Sequence, residues 1–153
     1  KNRMIILEPS AGIKKDTKLN YDIISNLLTT LLEYNHKRKI NIVAKIHKSR
    51  TIGVSYCTPV EGKEFLINLD LSKNNRRYIF GSILHEIRHC IQKEVFKFWP
   101  SVSHMKTWRD YWYSKEEVDA RKMETLTTQF IKSYDSYVKM TEMFKDKKLY
   151  KVG

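Results

Sequence analysis

The run His85-Glu86-Ile87-Arg88-His89 combines residue types at a spacing that can do chemistry. Two histidines four residues apart on a helix project from one face, close enough for both imidazoles to reach a single metal ion. Glu86, beside the first histidine, lies next to such an ion rather than on it, where it can take a proton from a metal-bound water. A tetrahedral catalytic zinc needs three protein ligands and a water, so a third ligand must come from further along the chain. Two residues compete for that place. Glu117, in Ser114-Lys-Glu-Glu-Val-Asp-Ala-Arg121, opens a predicted helix that could present its carboxylate to the histidines. The competing use of Glu117 is a capping box, in which its side chain turns back to the Ser114 amide. His104, in Ser103-His-Met-Lys-Thr-Trp108, would complete a three-histidine site instead, or stand as an exposed loop histidine.

These residues need elements to position them. Ser72 caps a predicted helix from about Lys73 to Phe96, on which Phe80, Leu84, Ile87, Ile91 and Val95 form one apolar stripe and the two histidines flank it. Gly81, one turn before His85, costs about 1 kcal/mol relative to Ala inside a helix, so it calls for a packing or access reason, such as room for a metal or substrate. Pro100 and its neighbouring serines interrupt the periodicity. The cluster Trp108, Tyr111, Trp112 and Tyr113 follows, for which packing is the first expectation and oxyanion stabilisation by a tyrosine the second. A third helix starts at Ser114 and continues through Val118, Met123, Leu126, Phe130 and Ile131, and a basic helical tail runs from Tyr134 to Lys148.

Upstream, Met4 to Glu8 reads as a short strand or ordered arm. From Leu19 to about His36, Ile23, Leu27, Leu28, Leu31, Leu32 and Tyr34 recur at spacings of three and four, the mark of an amphipathic helix. Three segments then alternate with period two: Ile40 to Ile46, Ile52 to Tyr56, and Phe65 to Leu71. Their short connections point to hairpins and an antiparallel meander. The expectation is an α+β domain spanning residues 1–153, with an N-terminal helix, a three-stranded antiparallel sheet, the motif helix and C-terminal helices.

Composition bounds the partners. The 153 residues carry 29 Lys plus Arg against 17 Asp plus Glu, a net charge of +12 that favours polyanionic neighbours by long-range attraction. The basic residues are scattered, so a solvated surface and a nucleic-acid face fit equally well. No apolar run is long enough for a membrane span, and the start shows no signal peptide. Cys57 and Cys90 are too few for a disulfide framework and read as buried free thiols of a reducing, intracellular compartment. No Gly-rich phosphate loop or paired-cysteine zinc site is present.

His85 to His89 followed by Glu117-Val-Asp-Ala120 resembles the zincin metallopeptidases of the gluzincin type, more narrowly the minimal gluzincins and ImmA-like peptidases of bacteria and phages. The resemblance covers about Leu19 to Phe130 and implies a zincin-like fold. It also implies Zn2+ held by His85, His89 and Glu117, Glu86 as general base, and a protein or peptide substrate laid on an edge strand within Lys63 to Leu71. Many gluzincins have Asp where this chain has Arg121, and Asp119 is the carboxylate placed to orient a ligand instead. His104 with Trp108 four residues later is similar to SprT-type proteases, which use a third histidine. Glu117 is preferred, because its match is longer and begins a helix. The rival expectation is an inactive zincin-fold basic protein that binds nucleic acid or serves as a phage virion component.

Overall fold

The computed structural model describes residues 5–9, 19–36, 42–49, 56–59, 64–70, 75–94 and 107–146. Strand β1 (Ile5–Pro9) leads into helix α1 (Tyr21–His36), followed by β2 (Ile42–Ser49), β3 (Tyr56–Pro59) and β4 (Glu64–Asp70). Helix α2 (Arg76–Glu94) carries the motif. It precedes the short α3 (Trp108–Trp112), α4 (Lys115–Met123), a 3-10 turn at Glu124–Leu126 and α5 (Thr127–Asp146). Helices make up most of the described residues. The predicted cap Ser72, strand residues Ile40, Ile52, Val54 and Leu71, Val95, the Pro100 break, His104 and the tail beyond Asp146 lie outside them.

The sheet corrects the sequence expectation. It has four strands in the order β1-β2-β4-β3, with β1 parallel to β2, β2 parallel to β4, and only β3 antiparallel to β4. The expected zincin-like α+β layout, built on a three-stranded antiparallel sheet, is therefore not adopted. Period-two alternation decides which face of a strand is buried and says nothing of its direction. Joining β1 to β2 through a helix allows parallel pairing, whereas the short β3-to-β4 connection demands a hairpin. With β4 seated on β2, β3 is left on the outside.

Helix α1 covers β1 through a polar strip as well as apolar residues. Ile24 and Leu28 are fully buried, and Ile23, Leu27 and Leu31 pack around them. Beside them, Ser25 Oγ accepts the Leu7 N–H at 2.8 Å and donates to the Tyr21 carbonyl at 2.7 Å. Thr29 Oγ1 accepts the Ile5 N–H at 3.1 Å and donates to the Ser25 carbonyl at 2.8 Å. Two hydroxyls one helical turn apart thus satisfy alternate amides of an edge strand, groups that would otherwise be left to solvent or to another chain.

The core lies between the sheet and α2, then continues to α5. Ile5, Leu7, Ala44, Phe65 and Ile67 come from the strands, and Ile79, Phe80, Ile83, Leu84, Ile87, Cys90 and Ile91 from α2. Phe80 meets Phe130 and Tyr134 of α5 at centroid distances of 5.8 and 4.9 Å, both tilted, an arrangement favoured by the ring quadrupoles. Tyr134 uses its hydroxyl to accept the Asn20 N–H at 2.8 Å, tying α5 to the start of α1. Among the described residues, Cys90 is a buried free thiol, as expected.

Candidate metal centre

Helix α2 lays its apolar stripe on the sheet and turns His85, Glu86 and His89 to the side where α4 packs. Helix α4 begins at Ser114, whose Oγ accepts the Glu117 N–H at 3.3 Å. Only that half of the capping box forms between side chain and amide. The Glu117 carboxylate turns to α2 instead, with Oε1 3.1 Å from His85 Nε2 and Oε2 2.6 Å from His89 Nε2. One ligand atom from each of His85, His89 and Glu117 lies within 4.8 Å of the other two, and the three form a group that could hold a metal ion. Donors about 2.0–2.1 Å from a tetrahedral ion stand roughly 3.3 Å apart. The His85 contact already has that spacing, while Glu117 must draw back from His89 by several tenths of an ångström. His104 lies outside the described residues.

Each imidazole is held from behind through its other nitrogen. His85 Nδ1 is 2.7 Å from Glu124 Oε2, and His89 Nδ1 is 2.8 Å from Gln92 Oε1. Gln92 is fully buried, and its Nε2 donates to the Glu116 carbonyl and to Asp119 Oδ2, each at 2.9 Å. Asp119 also receives Arg88 through Nε at 2.8 Å and Nη2 at 3.2 Å, a two-point pairing that neutralises the cation inside the motif. The orienting role expected of Asp119 therefore reaches His89 only through Gln92. Arg88 thus has an acidic neighbour on α4. Arg121, which stands where many gluzincins have Asp, serves α3: its Nη2 donates to the Trp112 carbonyl at 2.6 Å.

Sequence reasoning missed Glu124 and Gln92, although both carry a signal. Gln92 is three residues after His89, a neighbouring position on one helix face. Glu124 is seven residues after Glu117, two helical turns on, and so falls on nearly the same face.

The charges respond to this packing. Burial penalises the charged form of His85, but hydrogen bonds to Glu117 and Glu124 outweigh it and push the pKa up to about 10. His89 is likewise raised against the pull of burial, chiefly by Glu117. Burial would lift Glu117, yet its bonds to both histidines take it down to about 2. Glu86 is 5% exposed, and burial raises it to about 7 despite the two nearby imidazoles, which favour its anion. Burial, with the charge of Glu117, moves the Tyr111 phenol upward.

Gly81 does not open this site. A Cβ added there would meet Thr127 Oγ1 at 3.4 Å and Glu124 Oε1 at 4.0 Å, so the missing side chain lets the 3-10 turn and the start of α5 approach α2. The polar cleft beside it, which Arg77, Tyr78 and Glu124 help to line, sits on the Nδ1 side of His85, behind the imidazole.

No family model, curated protein or solved structure matches the chain. Among the described residues, no helix is long and apolar enough to cross a membrane.

Proposed function

We propose that the chain is a zinc-dependent metallopeptidase in which His85, His89 and Glu117 hold the ion and Glu86 is the general base. The observation that carries this reading is the convergence of two imidazole Nε2 atoms and one carboxylate within 4.8 Å, with a buried glutamate at the next position in the chain. Nitrogen and oxygen donors without thiolate suit zinc, and three protein ligands leave a fourth position for water. Held there, zinc would supply a water of lowered pKa, about 7, and a Lewis acid for a carbonyl.

The protein's own groups supply the rest of the reaction. Glu86 accepts the proton of the attacking water and returns it to the amine as the C–N bond breaks. Glu124 and Gln92 fix the two rings so that Nε2 faces the ion. Tyr111, whose phenol pKa is held up by burial and the Glu117 charge, is the tyrosine we assign to the oxygen that becomes negative in the tetrahedral intermediate.

An extended substrate needs a strand edge. The sequence expectation put that edge within Lys63 to Leu71, but β4 is an interior strand, flanked by β2 and β3. Among the described residues β3 pairs with β4 alone, and α2 packs against both, so Tyr56–Pro59 is the strand to which a peptide main chain can add.

Elemental analysis of the purified chain with Glu117→Ala and Glu86→Gln tests the reading. About one zinc per chain is expected for the wild type and Glu86→Gln, and little for Glu117→Ala. Peptide hydrolysis is expected for the wild type alone. Full zinc content in Glu117→Ala refutes the ligand set, and wild-type cleavage by Glu86→Gln refutes the mechanism.

A further inference from the structure

Helix α3 exposes its aromatic residues beside the metal centre. Trp108 is 69% exposed, and Tyr111, Trp112 and Tyr113 are also exposed, although aromatic rings of this size are usually buried. They are ordered with respect to one another. Trp108 stacks on Trp112 at a centroid distance of 5.0 Å and 18° between planes, and the Arg121 guanidinium lies 3.7 Å from the Trp112 centroid. A guanidinium that close covers the face it sits on, so Trp108 takes the other. The result is a column, Arg121–Trp112–Trp108, closed by a cation at its inner end and open at the outer face of Trp108.

Two further observations narrow the occupant. Arg121, which covers Trp112 and donates to its carbonyl, stands one helical turn after Glu117 on α4. The aromatic face is therefore seated on the helix that carries the proposed metal ligand. The surroundings are cationic: Arg109 stands 5.8 Å over Tyr113, and among the described residues neither Arg109 nor Arg121 is paired with a carboxylate. Asp110, in the capping box with Thr107, carries a negative charge that offsets part of this. On α4, Lys115 and Lys122 outnumber Glu116, and the whole chain stands at +12.

We propose that the exposed aromatic face of α3 is a substrate subsite of the metal centre, where an aromatic side chain of an acidic polypeptide stacks on Trp108. The proposal rests on the metallopeptidase reading. A single-stranded nucleic acid could also use a cationic stacking platform, but the seat of α3 on α4, the helix that carries Glu117, favours the molecule on which the metal centre acts.

The test uses the full chain carrying Glu86→Gln, loaded with zinc to prevent turnover, and a capped acidic peptide with one Phe against its twin with Leu. An aromatic pair gains more than area burial alone, so the Phe peptide should bind about three- to tenfold tighter by fluorescence anisotropy. Trp108→Ala should erase that preference with zinc content unchanged, and Trp108→Phe should keep most of it. Equal binding of the twins, or a preference that survives Trp108→Ala, overturns the subsite. So does oligothymidylate that binds more tightly and needs Trp108, because the face is then a nucleic-acid platform. Incubating the same peptides with wild-type chain separates the two readings: a Trp108-dependent preference without hydrolysis supports the subsite as a binding site and removes the peptidase, whereas hydrolysis without preference does the reverse.

Discussion

The two sides of α2 are made from one 19-residue helix, yet different forces hold them. On one side Ile83, Leu84, Ile87 and Ile91 are fully buried against other apolar groups, and any residue of similar shape and volume would serve. On the other, His85, His89 and Gln92 each have a particular partner at hydrogen-bond distance among Glu117, Asp119 and Glu124, and Glu86 is buried beside them. A packed hydrocarbon face tolerates exchange, whereas a buried polar face is costly to leave half satisfied. Such a network is hard to justify by stability alone, since burying paired charges seldom gains more than an apolar replacement. The difference teaches that α2 folds by its first side and is specialised by its second.

Substitutions on either side can break or sharpen this division. The largest effect is expected from Glu86→Gln, which should lower peptide hydrolysis by about 10²- to 10⁴-fold with zinc content unchanged, measured as initial rates alongside elemental analysis. Next comes Phe80→Ala, which should cost about 3–5 kcal/mol in urea unfolding while the folded fraction keeps its metal affinity. If metal affinity fell in step with stability, the two sides would not be separable. Gln92→Ala and Glu124→Ala should each weaken zinc binding about 10- to 100-fold in a chelator competition, with less loss for Glu124→Gln, which still offers an oxygen to His85 Nδ1. The smallest change belongs to Gly81→Ala. The helix gains up to about 1 kcal/mol, and because the new Cβ meets Thr127 Oγ1 at 3.4 Å, the near limit of ordinary contact, a rise of a few degrees in Tm with unchanged zinc affinity is expected.

How far these features were legible depends on the range over which the sequence speaks. The meeting of His85, His89 and Glu117 could be anticipated, because the spacing within α2 is local and Ser114 marks where α4 starts. What Glu117 does there was open between cap and ligand; its amide takes the first role and its carboxylate the second. Sheet direction could not be read, since Ile42 to Ile46 alternates in the same way whichever way its neighbours run. The partners Gln92 and Glu124 were overlooked because amides and glutamates on a helix are ordinarily solvated, and only the packing of α4 and the 3-10 turn against α2 gives them a task. For Gly81, the local cost was visible, but its reason lies in Thr127, 46 positions away.

The hydroxyls of Ser25 and Thr29 make the sheet one-sided. With the β1 margin already occupied by a helix of the same chain, the sheet margin left among the described residues is that of β3. That margin is four residues long, enough to register a short stretch of visiting backbone and too little to template an extended fibril. In the proposed peptidase a guest strand adds on that flank, while the helix keeps copies of the chain off the other.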